Sequence, residues 1–185
     1  MRRYARWLTM FTCVAACSNE SVATDSEFSR IAPSLALTPG ERKDLATLRR
    51  VTAPFQRFDN AAPEGWSLQI TDCMTSPAGG MGVHYGKPAF IDGQVRVDQP
   101  EVLLYEPDAL GGQALVGVEY IVPLSAWTSP VPPRLFGRDF HVIAAFQVWA
   151  LHVWLWKENP SGLFTDWNPR VTCDHATAVS SMSHH

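Results

Sequence analysis

Apolar residues change their period partway along this chain, and the change divides it. Leu45, Leu48, Val51 and Phe55 recur at helical spacing behind Thr38-Pro39-Gly40-Glu41, a capping-box sequence with proline in the first turn. A helix is therefore predicted from Thr38. Pro54 should end or kink it near Thr52, because proline has no amide hydrogen to donate and its ring crowds the preceding turn. One or two further turns are expected over residues 55–61. From Trp66 onward the pattern becomes short extended runs broken by Pro, Gly and Asp. Strands are predicted over 67–71, 82–85, 102–106, 115–122 and 147–156, with a weaker one over 140–144. Gly111-Gly112 predicts a hairpin between the third and fourth of these, and Pro130 to Pro133 interrupts regular structure. One helix followed by such strands reads as an α+β domain over 38–174, with the N-terminal helix packed on a mainly antiparallel sheet. Residues 175–185 read as a tail.

The start of the chain has a different logic. Arg2, Arg3 and Arg6 precede an apolar run from Trp7 to Ala16 that is far shorter than the ~20 residues a membrane span needs. Val14-Ala15-Ala16-Cys17 resembles a bacterial lipobox, so residues 1–16 are expected to be a signal peptide and Cys17 to be lipidated. Several acyl chains hold a protein on a membrane firmly where one does so only marginally. Ser18 in place of aspartate points to the outer membrane by the sorting habit of Gram-negative lipoproteins, with the domain facing the periplasm on a polar tether, 17–37. Ordinary secretion is the alternative, since Val14 and Ala16 also suit a type I cleavage site.

Charge adds an exclusion. With 15 basic against 18 acidic residues and no Lys/Arg cluster beyond two adjacent positions, the chain lacks the basic footprint of a nucleic-acid binder. Assigning Cys17 to lipid leaves Cys73 and Cys173. In an oxidising compartment these read as a disulfide rather than as metal thiolates, since they have no CxxC spacing.

GxSxG, HExxH, phosphate-loop and GxGxxG signatures are all absent. Three polar residues nevertheless interrupt apolar strand runs. In 115–122, strict alternation would put Leu115, Gly117, Glu119 and Ile121 on one face and Val116, Val118 and Tyr120 on the other. Both faces are mostly apolar, so Glu119 is expected to be at least half buried, where a carboxylate must pair, ligate a metal or stay protonated. His152 shares a strand face with Trp154 and Trp156, and His84 lies in another extended run. If these strands are neighbours, His84, Glu119 and His152 meet, and two imidazoles with a carboxylate suit a divalent transition metal such as zinc, iron or copper. The competing reading makes the histidines hydrogen-bonded core groups and pairs Glu119 with Arg134 or Arg138.

Trp149, Trp154, Trp156, Phe164 and Trp167 crowd one quarter of the chain. They read either as core or as the wall of a small-molecule pocket, with Tyr85, Trp154 and Trp156 as candidate ligand contacts. Three function classes remain open: a lipoprotein binding a small ligand or metal ion near His84, Glu119 and His152; a metal-dependent hydrolytic or oxidative enzyme using the same residues; and a structural or interaction lipoprotein.

Met81-Gly-Val-His-Tyr85, Pro100-Glu-Val-Leu-Leu-Tyr-Glu-Pro107, Leu115-Val-Gly-Val-Glu-Tyr120, Leu151-His-Val-Trp-Leu-Trp-Lys-Glu-Asn-Pro160 and the Phe164-Thr-Asp-Trp-Asn-Pro169…Cys173 ending resemble a family of exported bacterial proteins of uncharacterised activity. The resemblance spans roughly residues 46–173. It implies a single exported domain with Cys73 and Cys173 paired, and it supplies no reaction. His84, Glu119 and His152 fall within the matching blocks.

Overall fold

In a computed structural model, which describes residues 37–176, the capping box at Thr38 is formed. The Thr38 hydroxyl accepts from the Glu41 amide at 3.2 Å, and the Glu41 carboxylate accepts from the Thr38 amide at 2.6 Å. Two amides that a helix start leaves unpaired are thereby satisfied. Helix α1 runs Pro39–Thr52 and buries Leu45, Leu48 and Thr52. It stops where Pro54 requires. A 3-10 turn, Ala53–Phe55, follows, then the short helix α2, Phe58–Ala61, and a second 3-10 turn, Ala62–Glu64. The predicted lipobox and its tether as far as residue 36 lie outside the described residues, as does the tail from residue 177. Among those described, no helix is long and apolar enough to cross a membrane.

The rest is a sheet. Strands β1 (Leu68–Ser76), β2 (Gly79–Gly86), β3 (Val102–Pro107), β4 (Gln113–Pro123), β7 (His141–Ile143) and β8 (Val148–Val153) lie in the order β1-β2-β3-β4-β8-β7. Every neighbouring pair is antiparallel. The two-residue strands β5 (Arg134–Leu135) and β6 (Arg138–Asp139) form a separate ribbon between β4 and β7. The architecture is the expected α+β one. At the Gly111-Gly112 hairpin, Asp108 accepts from the amides of Leu110 and Gly112, which closes the turn between β3 and β4.

Two apolar clusters flank the sheet. Leu45 and Leu48 of α1 pack with Tyr85, Leu103, Tyr105, Tyr120 and their neighbours, while Val102, Leu104, Ile121, Ala150 and Trp154 pack on the other side. Strict alternation fails at one place. Leu104 pairs with Gly117 but Tyr105 pairs with Leu115, so Val116 is an extra residue. Such a bulge reverses parity. Leu115 therefore packs with Val118 and Tyr120 on the helix side, and Val116 with Ile121 on the opposite one, which corrects the face assignment made from periodicity. Strand β8 also ends earlier than predicted, at Val153. Beyond it the Trp154 amide donates to the Leu163 carbonyl, and the amides of Trp156 and Lys157 both donate to the Val116 carbonyl, drawing the chain out of the ladder.

The C-terminal segment is fastened across the sheet. Cys73 in β1 is disulfide-bonded to Cys173, 100 residues away. Closing a loop of that length stabilises a fold by up to ~4.7 kcal/mol in the chain-entropy model. Gly80 and Asn168 exchange backbone hydrogen bonds of 3.0 Å in both directions. A side chain at the adjacent Gly79 would place its Cβ 2.3 Å from the Asn168 oxygen, at φ +128°, so only glycine allows this approach. These contacts hold Asp166 and Trp167 against the sheet.

Candidate metal centre

Register brings the three predicted residues together. Glu119 of β4 stands directly opposite His152 of β8, and on its other side opposite Val102 of β3. His84 of β2 is opposite Leu104, two residues from Val102 along β3 and so on the same face. All three side chains lie on the sheet face away from α1, where they are 4, 6 and 1% exposed for His84, Glu119 and His152. The Nε2 of His84 is 3.8 Å from one Glu119 oxygen, and the Nε2 of His152 is 3.7 Å from the other. The imidazoles are perpendicular, at 89°, with centroids 6.0 Å apart. One donor atom from each residue falls within 4.8 Å of the other two. Bonds to zinc of about 2.0–2.1 Å require donors roughly 3.4 Å apart in a tetrahedral site, so side-chain shifts of about an ångström would close the cluster on an ion.

Both imidazoles are held from behind. His84 Nδ1 lies 2.8 Å from the Thr71 hydroxyl of β1, which leaves Nε2 to face Glu119. His152 Nδ1 lies 3.3 Å from an Asp166 oxygen, and the other Asp166 oxygen is 3.4 Å from His141 Nε2. The approach to Asp166 is too poorly aligned for a hydrogen bond, and both ring nitrogens of His152 are buried without one. Buried polar atoms in native proteins are nearly always hydrogen-bonded, so His152 is an exception among the described residues, facing carboxylates without a hydrogen bond to either. For His84, a ring nitrogen bonded to an oxygen while the other points inward is the arrangement common to metal-binding histidines, and Asp166 stands in the corresponding place beside His152.

Electrostatics follow from burial. Desolvation, helped by the neighbouring His152, lowers the His84 pKa to about 3, so this imidazole is neutral. Burial raises the Glu119 pKa, with His152 pulling it the other way. For His152 burial is the largest influence and pushes downward, but the nearby carboxylates of Glu119 and Asp166 outweigh it and the pKa is raised. Contact with His152 lowers that of Asp166.

Above the cluster is a cavity of about 690 Å³, with His84, Glu119 and His152 on its floor and Met81, Ile121 and Trp167 among its walls. The three aromatics predicted as ligand contacts lie elsewhere. Tyr85 points to the helix side, as alternation with His84 demands; its ring is stacked 3.9 Å from Phe58 and its hydroxyl accepts from Gln113. Trp156 follows the end of β8 and also turns to the helix side, where its indole donates to the Thr52 hydroxyl and stacks under Arg49. Trp154 stays on the cluster's side, stacked behind His152 at 6.2 Å, with its indole donating to the Thr165 carbonyl. It supports the site and does not line the cavity.

The alternative pairing for Glu119 does not occur with Arg134, which pairs with Asp139 at 3.3 Å. Sequence reasoning missed Thr71, His141 and Asp166. His141 lay in the weak strand run and Asp166 in a quoted block, but no periodic pattern aimed either inward. Comparison with protein-family models, curated proteins and solved structures finds no match to this chain.

Proposed function

We propose that this protein binds a divalent transition metal through His84 Nε2, His152 Nε2 and the Glu119 carboxylate, and uses the centre to hold a small molecule. The observation carrying this reading is the buried cluster in which His84, Glu119 and His152 face one another, with His152 making no hydrogen bond. Two histidines and a carboxylate with coordination positions left open suit zinc or ferrous iron. When bound, such an ion supplies Lewis acidity. The protein's own groups surround the site: Thr71 bonds the His84 ring, Asp166 lies beside the His152 ring, and the walls above them are largely apolar.

Protein purified without a histidine tag should contain close to one metal ion per chain by elemental analysis. His84→Ala and His152→Ala should each abolish it. Metal-free wild-type protein whose stability is unchanged by both substitutions would refute the centre. The cavity over the open coordination positions also favours a second reading, a metal-dependent hydrolytic or oxidative enzyme. Turnover of ester or phenol substrates that vanishes with the metal would select it.

The domain works outside the cytoplasm, tethered to the outer membrane by acyl chains on Cys17. Its Cys73–Cys173 disulfide supports this placement, because reducing cytosol keeps such pairs open. Labelled palmitate should enter the wild type and fail to enter Cys17→Ser.

A further inference from the structure

The cavity above the cluster restricts what the centre can hold. Its polar groups are gathered at one end, and its walls are Ile70, Met74, Met81, Ile121, Val148 and Trp167. Among the described residues no lysine or arginine lines it. Leu68, Val142 and Phe146, three of the five large hydrophobics left exposed among the described residues, at 47, 45 and 48%, also line this cavity. Apolar surface therefore continues from the buried cluster out to solvent. A volume of about 690 Å³ lies within the range of small-molecule pockets.

Charge selects the head group. A divalent ion held by two neutral imidazoles and the Glu119 carboxylate carries one net positive charge in a buried place. A single monoanionic ligand cancels it, and low-dielectric surroundings favour that neutrality. Asp166 and His141 also line the cavity, but Asp166 stands behind His152, is 37% exposed and lies 3.4 Å from His141, so it offsets the ion less than the buried Glu119 does. A phosphate monoester head would bring a second negative charge, with no lysine or arginine among the described residues of the cavity wall to meet it.

Resting on the metal reading above, we propose that the cavity takes a free medium-chain carboxylate, whose alkyl chain lies along the apolar walls and whose carboxylate completes the coordination of the metal. The metal supplies the polar anchor and the chain supplies the affinity. An esterified acyl chain has no free carboxylate to reach the metal and is not the ligand.

The test uses the full chain carrying Cys17→Ser, so that no acyl group of its own competes. Metal content is measured first, then calorimetric titration with decanoate, decanol, methyl decanoate and decyl phosphate. Zinc-loaded protein is expected to bind one decanoate, at least tenfold more tightly than metal-free protein does. Affinity should rise about fourfold per methylene from hexanoate to decanoate. The alcohol, the ester and the phosphate should each bind at least tenfold more weakly than decanoate. With cobalt in place of zinc, decanoate should shift the visible absorption bands, reporting a new ligand on the metal. Ala144→Trp, a change at the exposed cavity edge, should keep the metal and lose decanoate. A one-to-one zinc complex that ignores decanoate, or binds it no better than decanol, overturns this inference and leaves the metal centre standing. Failure to bind any metal overturns both.

Discussion

On the helix-covered face of the sheet, Tyr85, Tyr105 and Tyr120 are buried and each hydroxyl has a fixed protein partner. Tyr105 donates to the Phe55 carbonyl at 2.6 Å, Tyr120 donates to the Val97 carbonyl at 2.7 Å, and Tyr85 accepts from Gln113. On the opposite face His84, Glu119 and His152 are equally buried, yet their inner atoms face one another 3.7–3.8 Å apart and His152 makes no hydrogen bond. Burial alone therefore does not separate a core from a site. Hydrogen bonding does: each of these tyrosine hydroxyls is bonded within the fold, while His152 makes no hydrogen bond and the inner atoms of His84 and Glu119 face it at longer range.

Substitutions should break the two faces differently. Leu103→Ala, on the helix side, leaves a cavity beneath α1 and should cost about 2–5 kcal/mol in chemical denaturation. Its metal content should stay at the wild-type level. Glu119→Leu should do the reverse, abolishing metal binding while leaving metal-free stability equal or higher, because it removes a buried carboxylate without an ideal partner. A large loss of metal-free stability in Glu119→Leu would mean the cluster is structural and would erase the contrast.

Asp166→Asn sharpens the comparison within the cavity face. It keeps shape but weakens the hold on the His152 ring, and metal affinity should fall about 10–100-fold in competition with a chelator. Global stability should change little, since Asp166 is only half buried. The most gradual effect is read from pH. Burial raises the Glu101 pKa from 4.5 to about 8 in the fold, where Glu101 accepts a hydrogen bond from the Ile121 amide. A pKa raised on folding favours the native state fully below the unfolded value, and that advantage is lost as pH climbs toward the folded one. Stability should therefore decline between pH 4.5 and 8, by at most about 1.4 kcal/mol per pH unit from this group. Glu101→Gln should flatten the decline. An unchanged slope in that variant would show that Glu101 is not the titrating group.

Much of this was legible locally. The capping box, the stop at Thr52 and the hairpin at Gly111-Gly112 depend on residues a few positions apart, and each formed where its chemistry demanded. The Cys73–Cys173 bond was legible from counting, once Cys17 had another use. His84, Glu119 and His152 stood out as polar residues inside apolar strands, a conflict that marks either a partnered core group or a site. Trp156 was misplaced because periodicity says nothing about where a strand leaves its ladder. Leu115 was misplaced because one bulged residue, Val116, inverts every face assignment on one side of it.

By itself, then, the sequence determined the helix and its limits, the six strands of the main sheet but not the short β5–β6 ribbon, the cysteine pair and the identity of three buried polar groups. These follow from hydrogen-bonding and side-chain rules that act within a few residues. Tertiary structure alone decided that β2, β4 and β8 put their polar residues on one face, that Thr71 and Asp166 stand behind the two imidazoles, and that an apolar cavity opens above them. Strand order, register and the bulge join residues far apart in the chain, and no local period encodes the distance between them.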